Sequence, residues 1–257
     1  MIPAQDRNDK QRRASLTRHP KPFLTLTASE LTEPDRRDEV LAAWARRIGT
    51  EELPVAASML AKRYAARLLS TSLHEITRLN RARNDASENL QLSFGEGWEV
   101  TLEWMDGAIH SCPEGDREVW REQAVRRLFS DNLDRVLGSL SHHVPASILW
   151  ESARIYLHHF YETWSRETDS PAEQERIIRD FRYLTASGLS LTADGRTNPL
   201  AADFRCAPHP TKADQELRLR QTCCLYHRLP GAAPCINCPR VQKPACDSGK
   251  ALLRSRP

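Results

Sequence analysis

The sequence predicts an α+β fold, in which a mainly helical body with a β-hairpin is followed by a small cysteine-rich module. Three observations predict it. Apolar residues recur with the 3.6-residue period of helices along much of the chain. One stretch alternates instead with the two-residue period of strands. Finally, four of the 7 cysteines fall close together near the C-terminal end.

Helical periodicity predicts five helices. Pro54 suits the first turn of the second helix, and Gly49 is placed to end the first. The predicted helices run from about Asp35 to Ile48, from Pro54 toward Leu79, from Asp116 to near Pro145, through the segment from Leu149 to Trp164, and from about Pro171 to Leu184.

The strand-like stretch predicts a hairpin. Leu90, Leu92 and Phe94 alternate with polar residues, and a second alternating run extends from Trp98 to Trp104. The Gly-Glu-Gly between the runs is no dinucleotide fingerprint, because no third glycine follows and no helix begins there. A further alternation begins at Glu216.

Composition narrows the class of protein. The chain has 257 residues, of which 40% are hydrophobic and 28% charged, as in a globular protein with a substantial core. It has no run of about 18 apolar residues for a membrane span. No apolar region follows the basic N-terminal residues, so no secretory signal is expected. Only 10 glycines are present, which disfavours glycine-rich nucleotide loops.

Charge divides the chain unevenly. Residues 205–257 hold ten Lys or Arg against three Asp or Glu, a net charge of +7, whereas the preceding part is mildly acidic. A basic surface attracts anions or acidic proteins. The basic segment lacks the interleaved aromatic residues of a single-strand binder, so no nucleic-acid partner is expected. We divide the chain into a disordered arm at 1–22, a helical domain at 23–197 and a cysteine module at 198–257.

The cysteine module contains the pattern Cys-Cys-x10-Cys-x2-Cys, formed by Cys223, Cys224, Cys235 and Cys238. The Cys-x-x-Cys spacing lets two sulfurs converge on one ion, and four thiolates can hold a [2Fe–2S] cluster or a zinc ion. In a straight strand, adjacent cysteines would point to opposite faces, so a shared site requires a bend at Cys223 and Cys224. A two-iron cluster tolerates divergent sulfurs better than one tetrahedral zinc ion.

Other interpretations of the cysteines stay open at this point. A structural zinc site usually has two Cys-x-x-Cys pairs, and a disulfide framework is typical of secreted proteins. Cys112 and Cys206 are expected to be ordinary buried thiols, whereas Cys246 could exchange as a ligand. His227 is expected either beside the site or facing solvent rather than as a ligand, and the pairs His142-His143 and His158-His159 diverge too far to chelate one ion.

At these residues the chain resembles the FhuF-like family of siderophore-iron reductases, which the Cys-Cys-x10-Cys-x2-Cys signature marks. All four cysteine positions match, and the flanking Asn198-Pro199-Leu200 and Arg228-Leu229-Pro230 look similar. The resemblance covers roughly the last 60 residues. It implies one [2Fe–2S] cluster held by the four cysteines, and an aerobactin-synthetase-like (IucA/IucC-like) fold for residues 23–197.

The resemblance further implies a cytoplasmic oxidoreductase that reduces the Fe(III) of a ferric siderophore by one electron and so releases the iron. Arg220 and Arg228 are expected to bind an anionic chelate or to shift the reduction potential. Because no flavin or nicotinamide motif is visible, we expect an external electron donor, such as an acidic ferredoxin or flavodoxin-type protein. The alternatives are a zinc-stapled adaptor without catalytic activity and an iron–sulfur redox sensor.

Overall fold

The computed structural model describes residues 22–209 and 216–241. The predicted arm therefore lies outside the described residues except for position 22, and so does Cys246. Within the described part, the helices are α1 (Pro34–Arg47), α2 (Leu53–Leu79), α3 (Arg117–Leu128), α4 (Asp134–Leu140), α5 (Ala146–Glu167) and α6 (Pro171–Leu184). The strands are β1 (Leu24–Thr27), β2 (Arg81–Arg83), β3 (Leu90–Phe94), β4 (Val100–Trp104), β5 (Ile109–Ser111), β6 (Arg205–Pro208) and β7 (Glu216–Leu219). The predicted α+β class is confirmed.

The predicted hairpin is confirmed as β3 and β4, which pair antiparallel with Leu92 opposite Leu102. Strand β1 adds to the other edge of β3. Two further antiparallel pairs, β2 with β5 and β6 with β7, complete the strands of the described residues. The alternation predicted from Glu216 therefore forms a strand, but the strand ends at Leu219 and its partner β6 was not expected.

Helix α2 is the centre of the body and packs against α1, α5 and α6. Its buried face carries small residues, among them Ala57, Ala61 and Ala65, which let neighbouring helices approach closely. Near its C-terminal end, the hydroxyl groups of Thr77 and Tyr161 lie 2.7 Å apart and join α2 to α5. The two helices that carry the contacts to the cysteine module are thus fixed against each other.

One predicted helix is interrupted. The segment expected as a single helix from Asp116 to near Pro145 forms α3 and α4, separated by a π-helical turn at Phe129–Leu133. The wider turn places Asn132 inward, where its amide donates to the backbone carbonyl of Asp85 at 2.6 Å and its carbonyl accepts from the Tyr64 hydroxyl. The apolar periodicity predicted the buried face but could not show this extra residue.

Within the described part of the chain, no helix combines the length and the apolar character that crossing a bilayer requires.

Candidate metal centre

The four cysteines of the signature lie in two turns that follow β7. We call the segment 221–225, which bends on both sides of Cys223 and Cys224, the first turn, and the segment 235–238 the second turn. The second is closed by the backbone N–H of Cys238, which donates to the carbonyl of Cys235 at 2.9 Å. The Cys224 and Cys238 side chains are buried, whereas Cys223 and Cys235 are half-buried. Two sulfurs therefore face the body and two lie nearer the surface.

The two turns come together through backbone and sulfur contacts. The Arg220 N–H donates to the carbonyl of Asn237 at 3.0 Å, which joins the segment before the first turn to the second turn. The sulfurs of Cys224 and Cys235 lie 3.9 Å apart. Two thiolates on one tetrahedral metal, with bonds of about 2.3 Å, lie about 3.8 Å apart. This pair is therefore spaced for a shared metal.

The bend required at the adjacent cysteines is present. The strand has ended at Leu219, and Leu225 adopts a left-handed backbone with φ of 63°. The Cys224 sulfur faces Cys235, whereas the Cys223 sulfur lies 3.6 Å from Nδ1 of His227. His227 thus lies next to one of the candidate ligands, and its role beside the site stays a prediction.

The contact between Cys224 and Cys235 separates their pKa values. Cys235 donates a hydrogen bond that stabilises the Cys224 thiolate and lowers the pKa of Cys224, and the same contact raises the pKa of Cys235. The Tyr226 N–H and the charges of Arg220 and Lys62 also lower the pKa of Cys224. Cys224 is thus held toward the thiolate form, which is the form that binds metals.

A buried carboxylate on α5 holds the start of the first turn. Glu151 is 4% exposed, and its Oε2 accepts from the Thr222 N–H at 2.8 Å. It also accepts from the Gln221 N–H and the Thr222 hydroxyl. Arg154 donates to it from the same helix at 3.1 Å. Three donors immediately before Cys223 are thereby satisfied by one side chain of the body.

Arg220 completes this contact between the body and the module. Its side chain is 4% exposed and donates to Oγ of Ser152 at 3.1 Å and to the carbonyl of Thr222 at 3.3 Å. It also lies 3.8 Å from the Glu151 carboxylate. Of the two expected roles of Arg220, binding a chelate from solvent disagrees with this burial, because the guanidinium faces inward. An electrostatic effect on the site agrees with it.

A second helix contacts the first turn. Ser58 of α2 is buried, and its hydroxyl donates to the backbone carbonyl of Cys224 at 2.8 Å. Sequence reasoning missed Ser58 and Glu151, because neither has a metal-binding pattern around it. The only local signal is a Glu and an Arg three residues apart, at positions 151 and 154, within a segment that is otherwise buried and apolar.

Arg228, the other expected chelate-binding arginine, lies in the short helical turn Tyr226–Arg228. It is exposed, and it forms an ion pair with Glu52 at the start of α2. Its charge is therefore compensated in the structure. The role of Arg228 in chelate binding stays a prediction.

The remaining candidate residues have ordinary environments. Cys206 is buried in β6. Nε2 of His143 lies 2.7 Å from an Asp38 oxygen, and the His158 ring packs edge-on against Phe181. None of these contacts resembles a second metal site.

The donor set fits a two-iron cluster. Cys223, Cys224, Cys235 and Cys238 are all free thiols, and the Cys224–Cys235 pair has the spacing that one iron requires. Among residues 22–209 and 216–241, no three His, Cys, Asp or Glu side chains surround a single point as ligands of one ion.

Comparison with known proteins identifies the module. Residues 220–240 match the family model described as the FhuF 2Fe-2S C-terminal domain. The chain carries a FhuF-type 2Fe-2S domain. Its cofactor is a [2Fe–2S] cluster, as the four-cysteine pattern predicts. The match begins at Arg220, so it includes the segment that Glu151 holds.

The chain also has a more distant structural likeness. It is similar to aerobactin synthetase IucC from a hypervirulent pathotype of Klebsiella pneumoniae, with a TM-score of 0.47 and 17% sequence identity over 69% of this chain. The chain covers 36% of that synthetase. No curated protein sequence matches the chain. The aerobactin-synthetase-like fold of residues 23–197 stays a prediction.

We predict that Glu151→Gln weakens cluster binding in the FhuF-type domain. The substitution keeps the shape but removes the charge and one acceptor oxygen, so Gln221, Thr222 and Arg220 lose part of their partner. Iron and sulfide per chain should fall after anaerobic purification, and the visible absorption spectrum should change.

The matched control is Glu175→Gln, which makes the same chemical change at an exposed position of α6. Thr222→Val tests the same contact more gently, because it removes only the hydroxyl donor. If both Glu151→Gln and Thr222→Val retained the full iron content and an unchanged spectrum, Glu151 would have no role in holding the site.

Proposed function

We propose that the protein is a ferric-siderophore reductase, in which Cys223, Cys224, Cys235 and Cys238 hold the [2Fe–2S] cluster. One observation carries this proposal. Cys223, Cys224, Cys235 and Cys238 are free thiols within a FhuF-type 2Fe-2S domain, and the sulfurs of Cys224 and Cys235 lie 3.9 Å apart beside the helical body. The cluster supplies one electron at a time, with a potential of about −400 mV in plant-type proteins that have four cysteine ligands.

The chemistry requires little of the protein besides the placement of this electron carrier. Siderophores hold Fe(III) through hard oxygen donors, and adding one electron lowers the metal charge and weakens each of these bonds. No general acid or base is needed. The half-buried Cys223 and Cys235 bring the site close to the surface, where a bulky chelate can approach.

The residues around the cysteines have two roles in this proposal. Ser58 and Glu151 fix the backbone of the first turn, so the sulfurs keep their positions in both oxidation states. The Tyr226 N–H and the charge of Arg220 favour negative charge on the Cys224 sulfur. Hydrogen bonds and charges at the sulfurs adjust the reduction potential.

The electron donor is proposed to be an acidic ferredoxin or flavodoxin-type protein, and the location to be the cytoplasm. The net charge of +7 over residues 205–257 supports an acidic donor. Within the described residues, Arg240 near His227 adds positive charge beside Cys223.

The first test concerns the ligands. Anaerobically purified protein should absorb in the visible range, and dithionite should bleach that absorption. Each of Cys223→Ser, Cys224→Ser, Cys235→Ser and Cys238→Ser should lower the iron content, whereas Cys112→Ser should leave it unchanged because Cys112 lies outside the two turns. A colourless protein that contains zinc and no iron would support the zinc-stapled adaptor instead.

The second test concerns the reaction. Protein reduced beforehand and freed of dithionite should convert about one Fe(III) chelate per cluster into Fe(II), because each cluster gives up one electron. Fe(II) is measured with a ferrous-specific chromogenic chelator, while the visible absorption returns. A cluster that reoxidises only in air and transfers no electron to ferric siderophores would identify a redox sensor rather than a reductase.

The third test concerns the donor. If an acidic protein binds the basic module by charge attraction, the rate of reduction by ferredoxin should fall as ionic strength rises from about 10 mM to 1 M. Reduction by dithionite under the same conditions serves as the reference. Equal salt dependence for both reductants would rule out electrostatic binding of the protein donor.

A further inference from the structure

Two cations and two aromatic rings form a surface beside Cys224. Lys62 and Arg63 lie on α2, Trp98 lies in the turn between β3 and β4, and Tyr226 follows Cys224 by two residues. We call these four residues the Lys62–Tyr226 patch. Its aromatic centre is the Trp98–Tyr226 pair, whose ring centroids are 6.0 Å apart.

The cations of the patch stand over the rings. Nζ of Lys62 lies 5.5 Å from the centroid of Tyr226, and Cζ of Arg63 lies 5.4 Å from the centroid of Trp98. Trp98 is itself fixed against the fully buried Trp44, with ring centroids 6.3 Å apart in an edge-on arrangement. The patch is therefore held in place by the body and the module together.

The positive charge of the patch is uncompensated. Other arginines near the module are paired, since Arg218 contacts Glu162 and Arg228 contacts Glu52. In the part of the chain that the structure describes, no carboxylate lies within ion-pair distance of Lys62 or Arg63. Two adjacent cations without an ion-pair partner, one over each ring of the Trp98–Tyr226 pair, attract an anion.

The patch is small and close to the site. Four side chains cover far less than the roughly 800 Å² that a protein partner needs on each side of a stable interface. Tyr226 follows Cys224 by two residues, and Lys62 lies over the Tyr226 ring, so the positive charge stands next to the first cysteine turn. The thiolates would repel an anionic chelate, and Lys62 and Arg63 offset that repulsion.

We propose that the Lys62–Tyr226 patch binds the ferric chelate and selects chelates with a net negative charge, whose organic part packs on Trp98 and Tyr226. This inference rests on the proposed reductase function. The bound Fe(III) accepts one electron from the reduced cluster, the iron becomes Fe(II), and the cluster returns to its oxidised form. No other reactant is consumed.

The test compares chelates of opposite charge. One is an anionic ferric chelate of a citrate-derived siderophore, and the other is a ferric tris-hydroxamate that carries a free ammonium group. The variant Lys62→Gln/Arg63→Gln, reduced beforehand and freed of dithionite, should need about tenfold more anionic chelate for half-maximal rate, a loss of about 1.4 kcal/mol. The concentration of the cationic chelate that gives half-maximal rate should stay the same or fall.

Binding is measured separately with gallium(III) chelates, which have the charge of the ferric complexes but cannot be reduced this way. Equilibrium dialysis should show tight binding of the anionic gallium chelate to the wild-type protein and about tenfold weaker binding to the double variant. The two proteins are compared at equal iron content per chain, so that a difference in binding is not a difference in cluster loading. Arg166→Gln, an exposed charge near the end of α5, is the matched control.

Each outcome distinguishes the two proposals. If the wild-type protein binds the anionic gallium chelate and the double variant binds it more weakly, the patch proposal is supported. This holds even if no chelate is reduced and the reductase proposal fails. Reduction of both chelates with equal affinity in wild type and double variant overturns the patch but not the reductase. If the double substitution slows the reaction only when ferredoxin is the reductant, the patch proposal is overturned as well, because the patch would then bind the electron donor. Absence of both binding and reduction overturns both proposals.

Discussion

The cysteine module depends on one buried carboxylate, that of Glu151. It accepts from two consecutive backbone N–H groups and from the Thr222 hydroxyl, immediately before the adjacent cysteines. Short turns without regular hydrogen bonding hold their shape only when their backbone donors find partners. Glu151 supplies these partners from a helix, so the first cysteine turn takes its position from the rigid body rather than from its own sequence.

Burying the Glu151 carboxylate costs desolvation free energy, and the surrounding residues offset that cost. Arg154 and Arg220 both lie against the carboxylate and are themselves almost fully buried. Losing one member of such a group leaves an uncompensated buried charge, which typically costs about 3–5 kcal/mol. The same arrangement places a positive charge near Cys224. A group that stabilises the contact between body and module thus also influences the electrostatics of the sulfurs.

Local signals predicted much of the fold and the identity of the candidate ligands. Helices α1, α2 and α6 follow from apolar periodicity, with Pro54 in the first turn of α2, and the β3–β4 hairpin follows from alternation. The four cysteines are recognisable because their spacing is itself the signature. In each case the information lies within a short stretch of chain.

What the sequence could not show depends on contacts between distant residues. The hydrogen bond between Glu151 and Gln221 joins residues 70 positions apart, and that between Ser58 and Cys224 joins residues 166 positions apart. No sequence pattern predicts contacts between residues so far apart in the chain. Arg220 was expected either to bind a chelate or to shift the reduction potential, and the sequence could not show that its side chain faces inward toward Ser152. Lys62 and Arg63 lie near the site only because α2 passes beside the module.

The central claim is that four thiolates gathered by the helical body hold two irons. X-ray absorption at the iron edge of the anaerobically purified protein tests it most directly. The account predicts iron surrounded by sulfur alone, with one iron neighbour at bonding distance across bridging sulfides. Iron with nitrogen or oxygen ligands, iron without an iron neighbour, or zinc as the principal metal would contradict it.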